Sequence, residues 1–320
     1  MNLEELSMED FPSILGGVSA KQFLTEYWQK KPLLIRGAIP NFLSPITGDE
    51  LAGLSLEKDV ESRLIFGEKK YASWVLKRGP FCEDTFKKLP KKYWTLLVQA
   101  VDLWSPEVKE LIEYFYFLPK WRLEDIMISF SPEGGNVGPH FDNYDVFLLQ
   151  GVGQREWQIG QLCNAETETL SDCSLSIIKD FRKEQGYLLN TGDMLYLPPK
   201  LAHWGIAIKD CITYSVGFRS PSIQEMLSDL TETLMERNHE IFYRDPPLTL
   251  DMATNTINPK FIYQIKLMLE ELKNDDELLG DWFARFMTTP KFPELPEELK
   301  EKRLAKLGKE NYINGEKRKK

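Results

Sequence analysis

Two histidines and an aspartate are placed so that they could share one transition-metal ion. His140 and Asp142 lie two apart in Gly138-Pro139-His140-Phe141-Asp142-Asn143-Tyr144-Asp145-Val146-Phe147-Leu148-Leu149-Gln150. This run reads as a β-strand entered through the Gly-rich turn Gly134-Gly135-Asn136-Val137-Gly138. In a strand, residues i and i+2 share a face, so the imidazole and the carboxylate project together from Cα atoms about 6–7 Å apart. Two histidines and one carboxylate on one face, with the opposite positions open, suit non-haem Fe(II). The second histidine must then come from another strand. The chain holds 3 histidines: His140, His203 and His239. His203 ends Gly192-Asp193-Met194-Leu195-Tyr196-Leu197-Pro198-Pro199-Lys200-Leu201-Ala202-His203, a turn, a short apolar strand, a second turn and a histidine. An HxD triplet alone recurs by chance. Together with a GDxxxxPxxxxH segment it favours a metal site over hydrogen-bonded core histidines.

The elements around these residues are short strands. From 126 to 219 apolar runs alternate with Gly, Pro, Asn and Asp. Arg155–Ile159 is expected to pair with the His140 strand across Gly151-Val152-Gly153, and 186–189, 194–197 and 212–218 complete the set. Such strands suit a jelly-roll barrel with a mouth for a ligand. Upstream, Ser19 caps a helix over 19–30, and a strand follows Pro32. A further helix is expected within 43–60. Ser62–Phe66 pairs with Tyr71–Leu76 about Gly67-Glu68, and 94–99 and 125–130 are strands with a helical stretch, 106–117, between them. At Ser220-Pro221 the period becomes helical, Ser serving as N-cap and Pro as first helical residue. Two more helices follow, one after Asn258-Pro259 and one over 278–286. Their broad apolar faces need cover, from the barrel or from a second copy of the chain. Residues 291–320 are polar, with one short helix expected near 297–307.

The 320 residues allow two or three domains, and 42% hydrophobic with 28% charged residues is ordinary globular composition. The 4 cysteines form no CxxC pair, which argues against a zinc knuckle or thioredoxin motif and for free thiols in a reducing cytosol. The acidic first ten residues lack the apolar region of a signal peptide, and no apolar run is long enough for a membrane span. The net charge of −9 is uneven, because nine Lys and Arg against three Glu fall in 300–320. The acidic remainder disfavours non-specific nucleic-acid binding and suits a basic partner, so no direct DNA binding is expected.

Taken together, these segments resemble the JmjC-type branch of the cupin oxygenases, and most closely the bacterial ribosomal-protein arginine hydroxylases, or ribosomal oxygenases. The matching runs are Tyr27–Ala38, Trp94–Asp102, Met127–Ser131, Pro139–Gly153, Gly192–His203 and Tyr214–Arg219, within about residues 15–290. The resemblance implies Fe(II) held by His140, Asp142 and His203, with 2-oxoglutarate as co-substrate and dioxygen as oxidant. It implies that Arg155 binds the far carboxylate of the keto acid and that Ser129 assists. An Arg fork suits a carboxylate in an apolar barrel, since Lys cannot reproduce its two parallel hydrogen bonds. It also implies a homodimer and a large-subunit ribosomal protein as substrate (the L-sixteen protein), hydroxylated on an arginine. Tyr144, at i+4 from His140, could stack on that guanidinium, or it could simply line the barrel.

Two departures from the family pattern stand out. Lys200 occupies a turn position usually held by Gly, and the winged-helix-like C-terminal domain is shortened. The expected architecture is α+β. It comprises a double-stranded β-helix domain over 1–220, a helical dimerisation region over 221–288 and a shortened C-terminal segment over 289–320. The expected location is the cytoplasm, with no membrane association. Histidine hydroxylation by the same fold, a cupin enzyme of another class and a non-catalytic interaction protein remain as alternatives. The intact ligand set weighs against the last.

Overall fold

The computed structural model describes residues 14–67, 74–171, 174–237, 242–300 and 302–318. His239 and Cys173 lie outside these residues, as do positions 71–73 of the strand expected over 71–76. The chain divides into two compact units. One is Met1–Ser220 with Glu294–Lys300; the other is Pro221–Pro293 with Glu301–Lys320.

In the first unit, α1 (Ala20–Glu26) begins where the Ser19 hydroxyl accepts the Gln22 amide at 3.1 Å. It ends earlier than expected, because Gln29 takes φ +58°, a left-handed conformation that helices do not continue through. After β1 (Leu33–Ile35), α2 (Gly48–Leu54) is opened by a reciprocal capping box between Thr47 and Glu50. β2 (Ser62–Phe66) pairs with β3 (Val75–Arg78). α3 (Glu83–Lys87), the fully buried β4 (Trp94–Val98) and α4 (Pro106–Glu110) lead through 3-10 turns into β5 (Leu123–Ser131). Six strands then follow: β6 (Val146–Val152), β7 (Gln154–Leu162), β8 (Gln185–Asn190), β9 (Met194–Leu197), β10 (Leu201–Ala207) and β11 (Cys211–Phe218).

The strands form an eight-stranded sheet in the order β1-β9-β6-β11-β5-β4-β2-β3 and a three-stranded sheet in the order β10-β7-β8. β6 and β7 therefore belong to different sheets and do not form the expected hairpin. Gly153, at φ +73°, makes the crossing, and a Cβ there would lie 2.1 Å from the Asp210 carbonyl oxygen. The chain turns between sheets here instead of folding back on itself.

One face of the large sheet carries an apolar core with Phe23, Phe147 and Tyr196 at its centre, each ring 4.9–5.6 Å from the other two. The opposite face, with odd-numbered positions of β5 and β11, looks toward β7 and β10 and lines a cavity.

The second unit holds α5 (Ile223–Glu236), α6 (Pro259–Lys273) and α7 (Asp276–Thr288). α5 starts two residues later than expected, because Ser222 is the N-cap and closes a capping box with Glu225. The described residues of 297–307 hold no helix. In its place β12 (Leu304–Leu307), β13 (Glu310–Ile313) and β14 (Glu316–Arg318) form an antiparallel meander. Its second turn is Asn314-Gly315, both at positive φ, the pair that two-residue hairpins demand. Asp281 of α7 ties the meander down. It accepts from the Tyr312 hydroxyl at 2.7 Å and pairs with Arg237, Arg285 and Lys317. Burial opposes its ionisation, but Tyr312 and the arginines outweigh that and hold its carboxyl below the usual range.

Lys200, between β9 and β10, sits at φ +66°. A left-handed L-residue costs about 1–2 kcal/mol relative to glycine, while glycine loses roughly 0.5–1 kcal/mol more backbone entropy on folding. Lys200→Gly should raise unfolding free energy by up to about 1 kcal/mol, and Lys200→Val should lower it. Urea melts of the two variants check this.

Candidate active site

The ligand-bearing segment is a loop, not the continuous strand expected over 138–150. Regular pairing begins only at Val146. Pro139 offers no amide to a ladder, and the Asp142-Asn143-Tyr144-Asp145 run favours local turns over sheet pairing. The loop is fixed by other means. The His140 amide donates to the His203 carbonyl at 3.0 Å, and the His203 amide returns a bond to the His140 carbonyl at 2.8 Å. The Lys200 amide donates to the Asp142 carbonyl at 2.6 Å. At the entry, buried Asn136 accepts from the Gly138 amide and the Trp204 indole and donates to the Gly134 carbonyl. Gly138, at φ +80°, has no room for a Cβ, which would meet Ile177 Cδ1 at 2.3 Å. At the exit, fully buried Asp145 accepts from Tyr196 at 2.7 Å and Gln29 at 3.1 Å, with Arg122 at 3.4 Å. Burial nevertheless raises its carboxyl above the ordinary range.

These constraints bring together His140, Asp142 and His203, whose ligand atoms all lie within 4.8 Å of one another. His203 Nε2 is 3.6 Å from Asp142 Oδ2, and the two imidazole centroids are 4.3 Å apart. His140 Nδ1 lies 2.9 Å from the Gly138 carbonyl oxygen, and His203 Nδ1 lies 2.9 Å from that of Leu201. A carbonyl only accepts, so each Nδ1 carries the proton and each Nε2 keeps its lone pair for a metal. Burial pushes His203 down to about 4, the His140 ring adds to this, and Asp142 opposes it. His203 is therefore neutral near pH 7, as a ligand must be.

The triad lines a cavity of about 280 Å³ that also holds Arg155, Ser129 and Tyr144, so all six residues singled out from the sequence face one space. Arg155 is 3% exposed. Its guanidinium donates to Ser131 Oγ at 2.6 Å and to Cys211 Sγ at 3.5 Å, while Nε has no hydrogen-bond partner among the described residues. Thr95 Oγ1 backs Ser131 at 2.9 Å. The hydroxyl touching Arg155 is thus Ser131. Ser129, two residues earlier on the same face, donates to the Thr213 carbonyl at 3.5 Å.

Tyr144 is 41% exposed at the mouth. Burial of its hydroxyl, then the charges of Asp142 and Asp125, hold the phenol protonated far above its usual range. Ser131, Asn136, Asp125 and Trp157 were missed in the sequence. The period-two spacing from Ser129 to Ser131 and from Arg155 to Trp157 was a signal for two of them.

A two-sheet barrel with a two-histidine, one-carboxylate centre and a buried arginine defines a cupin-type metal-dependent oxygenase class. The model of the JmjC domain family matches residues 110–226. The chain is 34% identical over 318 residues to the ribosomal protein uL16 3-hydroxylase of Escherichia coli K12, covering 92% of this chain and 84% of that protein. It is 36% identical to a probable ribosomal oxygenase of Haemophilus influenzae, covering 81% of this chain and 65% of that protein. A solved structure of YcfD, a ribosomal oxygenase from Escherichia coli in complex with cobalt and 2-oxoglutarate, aligns at TM-score 0.80 and 33% identity over 94% of this chain and 85% of that one. The chain belongs to the JmjC-domain ribosomal oxygenases.

His203 yields a pH prediction for the metal-free protein. Burial holds its folded pKa at about 4, below the 6.5 of an ordinary imidazole. Between those values the unfolded chain binds the extra proton, so stability falls as pH drops through that window. Denaturant melts at pH 7, 6 and 5 should show a steeper loss in the wild type than in His203→Gln. Equal slopes would contradict the assignment.

Proposed function

We propose that this protein is an Fe(II)- and 2-oxoglutarate-dependent hydroxylase that acts on an arginine side chain of a large-subunit ribosomal protein. The observation that carries this is Arg155. A guanidinium buried to 3% exposure, with no carboxylate paired to it among the described residues, is costly unless an anion joins it. It faces the same cavity as the triad. A keto acid with a second carboxylate at its far end answers both features, one end at the metal and the other at the guanidinium. That the Escherichia coli relative is solved in complex with cobalt and 2-oxoglutarate supports this co-substrate.

The donor set, two neutral imidazoles and a carboxylate, fits Fe(II). Iron held there supplies dioxygen activation coupled to oxidative decarboxylation of the keto acid. The protein's own residues do the positioning. The paired backbones of His140 and His203 orient the imidazoles. Ser131 and Cys211 aim Arg155, and apolar Leu148, Val146 and Ile177 restrict water in the cavity. At the mouth, Tyr144 offers an aromatic face beside the carboxylates of Asp142 and Asp125, an environment for a cation. The net charge of −9 suits a basic ribosomal protein, as the name of the uL16 3-hydroxylase suggests. A cytoplasmic place of action follows from such a substrate; no helix among the described residues is long and apolar enough to cross a membrane.

We assign 221–288 to homodimer formation and 289–320 to a winged-helix-like segment. α6 has no buried residue, and Ile262, Tyr263, Ile265 and Leu269 are 44–61% exposed. An apolar helical face of this kind is stable in water only when covered.

Mass spectrometry of ribosomal proteins from cells with and without the gene tests the substrate. One oxygen should be lost from an arginine of uL16 in the deletion and restored by wild type but not by His140→Ala. Loss on a histidine would move the protein to the histidine-hydroxylating branch, and no change would refute the proposal. Light scattering at micromolar concentration should show twice the 37.2 kDa chain mass, and a monomer would refute the dimer.

A further inference from the structure

We propose that the Trp157 indole N–H is a direct hydrogen-bond donor to the dicarboxylic 2-oxo acid, gripping an oxygen along its path between the metal and Arg155. This rests on the co-substrate assignment above. Trp157 is 4% exposed and lines the triad cavity. Its Nε1 has no hydrogen-bond partner among the described residues. Three other indoles are satisfied: Trp94 donates to the Pro90 carbonyl at 2.7 Å, Trp204 to Asn136 at 2.9 Å and Trp282 to Asp229 at 2.7 Å. An indole only donates, and a buried donor left unmade is unfavourable.

The position of the ring selects the ligand. Its centroid lies 5.8 Å from that of the His203 imidazole, and the Arg155 Cζ is 5.7 Å from the ring. In the pairing of β7 with β10, His203 opposes Ile159, Gly205 opposes Trp157 and Ala207 opposes Arg155, so along the strands Trp157 lies between the metal ligand and the guanidinium. Its cross-strand partner on β10 is Gly205, where a Cβ would lie 2.7 Å from Cζ3 and Cη2. The six-membered ring fills the space that a side chain at 205 would need, so Nε1 lies on the side of the indole away from Gly205. Arg155 is at i−2 on the same strand, hence on the same face, and its Nε is a second unpartnered buried donor. Two donor-only groups on one face call for a ligand presenting acceptor oxygens. A 2-oxo diacid presents only acceptors, whereas a guanidinium substrate presents only donors.

The test uses full-length protein loaded with Zn(II), so that no turnover occurs, and calorimetric titration with 2-oxoglutarate. Trp157→Phe keeps an aromatic ring and removes the donor. A charge-assisted hydrogen bond of this kind predicts roughly tenfold or greater weakening of 2-oxoglutarate binding, with Zn(II) affinity unchanged. Equal 2-oxoglutarate affinity in wild type and Trp157→Phe overturns the inference and leaves the co-substrate assignment standing. Failure of wild type to bind 2-oxoglutarate removes both. A second measurement needs no variant to fold. Of the 8 tryptophan indole signals in 15N-labelled Zn(II) protein, one should shift downfield on addition of 2-oxoglutarate, and no such shift overturns the inference. A role in packing alone would move neither the affinity split nor the indole proton.

Discussion

Two backbone hydrogen bonds, from His140 to His203 at 3.0 Å and back at 2.8 Å, are the constraint on which the site depends. They join a loop that follows the large sheet to a strand of the small one. The ligands need no long side-chain reach, because the peptide groups carrying them are already paired. Asn136 at the entry and Asp145 at the exit keep that pairing from sliding. A slip of one residue would turn either imidazole to the opposite face. Asp145 also connects this register to the N-terminal region, since its partners include Gln29 as well as Tyr196.

The barrel interior is electrostatically asymmetric. At one place the triad offers lone pairs and a carboxylate. At another, Arg155 offers a positive charge supported by a hydroxyl and a thiol and, among the described residues, by no acid. Such an interior is poorly satisfied by itself and well satisfied by a metal with a chelating dianion. Ser131 and Cys211 are cross-strand partners, and Thr95 stands beside Ser131 on β4. Three adjacent strands thus contribute one row of small polar side chains, which orients the guanidinium without neutralising it.

Much of this was legible in the sequence, and the omissions have physical causes. The triad could be found because only three histidines exist and two fall in segments with turn chemistry on both sides. Arg155 could be found because a charge in an apolar strand is conspicuous. Sheet membership could not be read, because a tight Gly turn serves a hairpin and a crossing equally well. Only tertiary contact at Gly153 decides between them. Ser131 as the hydroxyl beside Arg155 could not be read in a similar way, since period two assigns Ser129 and Ser131 to one face and cannot say which reaches across the barrel. The C-terminal meander was a different miss. Asn314-Gly315 is a strong hairpin signal, but the Lys- and Glu-rich flanks carry helical propensity and hid it.

The buried carboxylate of Asp281 has a consequence for where this polypeptide can be cut. Its hydroxyl donor and one of its cations, Tyr312 and Lys317, come from the last nine residues. A chain trimmed just after α7 would retain every residue of the cavity. It would also uncover the inner side of that helix and leave a half-solvated acid beside Trp282 and Phe286. The short basic tail, which in sequence looks like a solvated appendage, is in this sense the closing strand of a folding unit. Its tolerance to tags and deletions should be that of a core element.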